Sequence, residues 1–249
     1  MALHSLSWRA FAEFSLGDWP VVVDEILPRI RVLLGDRKND PPYFTVHALG
    51  SGAFIHEARG DPAAPELIAL LRRPASVEES TAHHSRTWLA WILARQGEVA
   101  EVEDLLERLA SIPSQVDRPF EDQVRAIVLA EHERWDEVPA FLERSRTFAE
   151  QGGLRALPVH LDRLEGRAAS AAGDHGRAME LLARASSALE ELGARWEKAC
   201  TDLSLTEVLI AAGRTEDARS TLEPARAVFE DLGSLREIDA AGALRSVLD

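Results

Sequence analysis

The sequence predicts an all-α fold: about six antiparallel helix pairs stacked as an α-α superhelix and closed by a C-terminal capping helix. Three observations predict it. Ala, Leu, Glu and Arg dominate the 249 residues and β-branched residues are sparse, so helix is the default conformation. No segment sustains a period-two alternation of apolar and polar residues, so no strand is expected. A turn motif also recurs at nearly constant spacing, as it does when one supersecondary unit is repeated.

Gly, Pro and Asp punctuate the chain into thirteen helical segments. Leu16-Gly17-Asp18-Trp19 separates 3–16 from 19–34, and Arg59-Gly60-Asp61-Pro62 separates 43–59 from 62–73. Gln96-Gly97-Glu98-Val99 divides 77–96 from 98–112, and Glu133-Arg134-Trp135-Asp136 divides 119–133 from 136–151. The clearest copies follow. Ala172-Gly173-Asp174-His175-Gly176-Arg177-Ala178 joins 154–172 to 175–192, and Ala212-Gly213-Arg214-Thr215-Glu216-Asp217-Ala218 joins 195–212 to 215–232. The turn positions 17, 60, 97, 133, 173 and 213 differ by 43, 37, 36, 40 and 40. Loops of one to three residues within pairs force antiparallel neighbours. The last segment, 235–248, carries Leu235, Ile238, Ala241, Leu244 and Leu248 at helical spacing. It is expected to bury that stripe on the pair 195–232 and to show Arg236, Glu237 and Arg245 to water.

The turn and small-residue columns have a packing logic. One pair cannot bury its apolar face alone, so pairs stack. Ala178, Ala185, Ala218 and Ala225 are small where the second helix must approach the first. Glycine can adopt the left-handed conformation that stops a helix, and Asp beside it can cap the next one. The stretch Leu164–Ala185, with Gly166, Gly173, Ala178 and Ala185 in the glycine and small-residue columns, resembles the tetratricopeptide (TPR) repeat consensus. Leu192-Gly193-Ala194-Arg195-Trp196-Glu197, followed by Leu209-Ile210-Ala211-Ala212-Gly213, is similar to the repeat regions of bacterial adenylate/guanylate cyclases and of LuxR-type or maltose-regulator-type ATP-binding transcription regulators. The resemblance implies one TPR-like solenoid over 1–249: degenerate repeats in 1–152, the clearest in 153–233, a cap in 234–249. It also implies a role in holding a protein or peptide, or in sensing a small ligand, within signalling or transcription regulation. The sequence departs from those families in lacking a GxxxxGK[ST] phosphate loop, a cyclase segment and an evident helix-turn-helix. Gly50-Ser51-Gly52-Ala53 is its only glycine-rich spot, and no Lys follows it. Whether the chain stands alone or is part of a larger protein stays open.

Composition narrows the partners. The net charge of −14 and pI near 5.1 disfavour a direct nucleic-acid or anionic-membrane partner. Cys200 is the sole cysteine, so an intrachain disulfide and a Cys-rich zinc site are excluded. The first residues lack a signal-peptide pattern and no apolar run spans a membrane, so a cytoplasmic location is expected. No cofactor is expected.

Candidate chemistry is thin. His83-His84 invites a metal, but adjacent helical residues point about 100° apart and cannot both ligate one ion from a straight helix, so no metal site is expected and one His should be solvated. Cys200 and His160 could form a nucleophile–base pair, but Ala199-Cys200-Thr201 has no elbow signature, so the chain is expected not to be an enzyme. Paired carboxylates such as Glu190-Glu191 read as solvated faces. Trp8, Trp19, Trp88 and Trp135 follow the repeat columns and read as core, with Trp91 facing the groove. The most informative pattern lies 13 residues before each turn: His4, His47, His84, Phe120, His160 and Cys200. In TPR proteins this column tends to face the concave groove. His47, His84, Trp91, Phe120, His160, Arg163 and Arg167 are therefore the candidate ligand-binding residues. They are expected to be accessible along a common channel, with Arg163 and Arg167, at i+3 and i+7 from His160, nearest an anionic group.

Overall fold

The computed structural model describes residues 1–76, 82–111 and 117–249, apart from the side chains of Lys38 and Ser111. Thirteen α-helices and no strand occur among the described residues. They divide into two compact units, Met1–Val128 and Leu129–Asp249, with the division inside the seventh helix.

The first unit holds α1 (Ala2–Leu16), α2 (Leu27–Leu34), α3 (Val46–Ala58), α4 (Ala64–Ala75), α5 (His83–Gln96), α6 (Val99–Ser111) and the start of α7 (Arg118–Glu131). The segment expected as one helix over 19–34 begins as a π turn, Val21–Ile26, before α2. Pro28 explains this. It has no N–H to give to Asp24, and a wider turn lets the backbone pass; Leu27 N–H bonds back five residues to Val22 instead. The expected helix start at 43 is a short 3₁₀ turn, Tyr43–Thr45, leading into α3. The expected ends at 77 and 112 lie outside the described residues.

The core of this unit is aromatic: Trp19, Phe54, Trp88 and Trp91 are fully buried. Gly50 lies inside α3 because Trp88 sits against it. A Cβ there would fall 2.3 Å from Trp88 Cγ. The glycine-rich spot is therefore a close helix contact.

The second unit continues through α8 (Val138–Gly152), α9 (Leu157–Ala171), α10 (His175–Glu191), α11 (Arg195–Ala211), α12 (Thr215–Leu232) and α13 (Leu235–Leu248). Ala178, Ala185, Ala218 and Ala225 are buried, as the small-residue columns require. At Gly166 a Cβ would meet Leu182 Cγ at 2.8 Å, so α9 and α10 approach closely there.

Each of the six turn positions takes a positive φ, from 53° at Glu133 to 81° at Gly173. At Gly173 the amide bonds Ser170 O and the next amide, of Asp174, bonds Ala169 O, which closes α9. Asp174 then accepts from Arg177 N–H and opens α10. Glu133 makes the same bend with a side chain attached, at a conformational cost that glycine avoids.

The cap α13 packs on α12 and α11, but its buried face differs from the expected stripe. Leu235 is 50% exposed, whereas Glu237 is buried with Ala241 and Leu248. The reason is polar. Ser234, just before the helix, donates to the Glu237 carboxylate and accepts from Trp196 Nε1–H at 3.4 Å. Glu237 is turned inward to meet it, and Leu235 is turned out. No helix among the described residues is long and apolar enough to cross a membrane.

Candidate functional site

The column thirteen residues before each turn is a continuous seam of rings in the first unit. Consecutive odd-numbered helices stand side by side, and long flat side chains fill the gap between them. His47 on α3 meets Trp8 of α1 and His84 of α5, each at a ring-centroid distance of 4.3 Å. Phe11 lies 4.9 Å from His47 and 5.2 Å from Phe120 of α7. Trp88 Nε1–H donates to His47 Nδ1 at 3.4 Å. That places the imidazole proton on Nε2, which is buried without a hydrogen-bond partner among the described residues.

Burial drives the His47 pKa down to about 3, with neighbouring His84 and His4 pushing the same way. His84 is lowered too, chiefly by burial, although Asp117 opposes this.

The accessibility expected of this column is corrected accordingly. His47 and Phe120 are buried, and Trp91 is only 1% exposed. Helix axes near 10 Å apart leave no open channel when rings bridge them. Trp91 instead stacks with Trp88 at 5.7 Å, in the core. Trp8, expected in the core, is the exposed member at 45%. Its indole N–H donates to His4 Nε2 at 3.0 Å, and its face lies over His47. Trp19 and Trp88 are core residues as expected, and Trp135 is half-buried.

In the second unit His160 and Cys200 are also buried. Burial lowers the His160 pKa, as does Arg163, against the pull of Glu197. Arg163 and Arg167 do not form an open basic spot. Arg163 binds Glu197 at 3.0 Å. Arg167 binds Glu131 at 3.2 Å and also reaches the Ala130 carbonyl. Glu131 is gripped from its other side by Arg236. Burial alone would raise the Glu131 carboxyl, but the two guanidiniums hold it below its ordinary range. Asp162 is likewise shared, by Arg146 at 2.8 Å and Arg184 at 2.7 Å.

A third grouping lies where α5 and α7 begin. His83 Nδ1 is 2.5 Å from Glu121 Oε1, and His84 Nε2 is 3.0 Å from Asp117 Oδ1. The solvated His expected of this pair is absent: His83 is fully buried and His84 about three-quarters so. The two rings do diverge, each to a different carboxylate. Burial raises the Glu121 carboxyl and Asp117 and Asp122 add to that, while His83 opposes it. The ligand atoms of His83, Asp117 and Glu121 all lie within 4.8 Å of one another. This grouping is hard to find in sequence, because His83 and Asp117 are 34 positions apart. The available signal is the i, i+4 spacing of Asp117 and Glu121, which puts both carboxylates on one helix face.

Among families, a model described as Tetratricopeptide repeat matches residues 83–108 and 201–224. The first stretch is the hairpin α5–α6, and the second takes in most of α11 and half of α12. The helix pairs are TPR-like repeats. Such repeats generally mediate protein–protein interaction. Comparison with the curated proteins and with the solved structures found no match.

Proposed function

We propose that this chain is a non-catalytic module that holds a protein or peptide, and that the first-helix face of the unit Met1–Val128 is where it does so. The observation that carries the reading is Trp8. It is a large aromatic side chain, 45% exposed, yet held in place by its hydrogen bond to His4 and by the His47 ring beneath it. A rigid, half-exposed tryptophan gives contact area at little entropic cost, and such residues dominate binding energy at interfaces. His84 and Phe11 border it and supply the polar and apolar edges.

Arg163 and Arg167 lie in the second unit, outside this site. A ligand carboxylate could reach them only by displacing Glu197 or Glu131. The placement in bacterial signalling or transcription regulation, in the cytoplasm, is supported by the likeness of 192–213 to the repeat regions of such regulators. A nucleophilic role for Cys200 gains no support, since both it and His160 are buried.

The test is a selection of peptides on the immobilised full chain, followed by affinity measurement with Trp8→Ala. Selected ligands should bind the variant at least about 30-fold more weakly, the loss typical of an interface hot spot, while its melting temperature stays near the parent's. Failure to select any ligand, or equal binding to the variant, overturns the reading.

A further inference from the structure

We propose that His83, Asp117 and Glu121 form a binding site for one divalent first-row transition ion of the zinc class. The argument starts from donor chemistry. One imidazole nitrogen and two carboxylates form a borderline donor set that suits such ions better than Ca²⁺ or Mg²⁺, which take oxygen ligands.

Geometry comes next. The three donor atoms all fall within 4.8 Å of one another. Tetrahedral coordination at about 2.0–2.2 Å places ligand atoms roughly 3.4 Å apart. The 2.5 Å His83–Glu121 contact would therefore open by about an ångström to admit the ion. Small side-chain rotations suffice for that, because Glu121 is in the first turn of α7 and Asp117 lies one residue before it.

The surroundings favour a cation. His83 is fully buried, and the Asp117 and Glu121 side chains are only 17% and 15% exposed. Two carboxylates are thus held together in a largely dry place, with Asp122 next in sequence and paired with Arg118 at 3.3 Å. His84 Nε2, 3.0 Å from Asp117 Oδ1, orients that carboxylate as an outer-shell partner would.

The tautomer of His83 also permits the change. Its Nε2 is buried with no hydrogen-bond partner among the described residues. With the proton on Nδ1, Nε2 is an unmatched acceptor; with Nδ1 on an ion, Nε2–H is an unmatched donor. Ligation therefore creates no additional buried unsatisfied group. An ion here would tie the start of α5 to the start of α7, beside the ring seam that includes His84.

The test uses the full chain without a histidine tag. Zn²⁺ is titrated calorimetrically, and Co²⁺ is followed by its visible absorption. The expected result is one ion per chain, with a melting temperature that rises with ion concentration. Glu121→Gln and Asp117→Asn keep the side-chain shapes and should each weaken binding by more than tenfold. His84→Ala should weaken it by about 10–100-fold, the loss typical of an outer-shell partner. Circular dichroism and melting of the ion-free variants show that they fold. No saturable binding, or unchanged affinity in Glu121→Gln and Asp117→Asn, overturns the proposal; the latter would mean that other histidines hold the ion. The peptide-binding reading is untouched by either result, since it is read with Trp8→Ala.

Discussion

At the scale of the residue, exposure is decided by how far a ring reaches toward the next helix. Counting back thirteen positions from each turn finds His47, His84 and Phe120 because the repeat is regular. It does not say how far a ring reaches sideways. His47 spans the gap from α3 to Trp8 on one side and His84 on the other, so it is buried by its own neighbours. Trp8 and Trp88 occupy the same column nine residues before a turn, yet one is half-exposed and the other fully buried. The difference lies in what surrounds each ring: Trp88 is enclosed by Phe11, Phe14, Trp91 and Phe120, whereas Trp8 meets His4, Phe11, His47 and His84 and keeps 45% of its surface open. The burial of His47 has a thermodynamic consequence. Its folded pKa is near 3 and its unfolded value near 6.5, so between those values the unfolded chain binds more protons. Stability falls as the pH drops below about 6.5 and continues to fall toward 3. At pH 5 this group alone should remove about 2 kcal/mol. His47→Gln removes the titrating group and keeps an acceptor for Trp88. Melting at pH 7.5 and pH 5 should show a smaller loss for the variant than for the parent. Equal losses would place the acid sensitivity elsewhere.

At the scale of the element, helix number and order were legible because glycine and small-residue columns obey backbone and packing rules that act locally. The left-handed bend appears at Glu133 as at the glycines, so spacing found a turn that residue type alone hides. The π turn at Val21–Ile26 was not legible as such, since a proline one turn later permits a kink, a break or a wider turn alike. The cap α13 shows the same limit. Its apolar period identified the helix, but the face it buries was decided by Ser234 and Glu237, whose pairing with Trp196 no hydrophobic pattern encodes. The cap still covers the pair before it, with Ala241 and Leu248 buried. Terminal repeats that lose their covering element expose an apolar end. Removing residues 235–249 should therefore lower the melting temperature by several degrees and make the protein self-associate, as read by calorimetry and light scattering. A truncated chain that stays monomeric and melts like the parent would show that α13 does not serve as a cap.

At the scale of the whole molecule, the deciding quantity is charge. There are 42 acidic side chains against 28 Lys and Arg, so even if every base found an acid, 14 carboxylates would remain uncompensated. Sharing runs both ways: Asp162 and Glu131 each take two arginines, and Arg146 and Arg177 each take two acids, so the surplus is not removed by it. The attractive pairs and the surplus respond differently to salt. Arg146–Asp162 at 2.8 Å and Arg163–Glu197 at 3.0 Å are in contact and partly buried, so ions in solution screen them little. Pairs on the open surface, such as Arg214–Asp217, are screened but contribute only about 0–1 kcal/mol each. The surplus carboxylates repel one another over longer distances. The screening length is about 30 Å at 0.01 M and about 8 Å at 0.15 M ionic strength, so this repulsion is felt at low salt and largely removed at physiological salt. Repulsion should therefore dominate the salt response, and the melting temperature should rise between 0.01 and 0.15 M sodium chloride at pH 7.5, then change little to 0.5 M. A fall over the first interval would mean that the exposed arginine pairs contribute more to the fold than the surplus charge takes away.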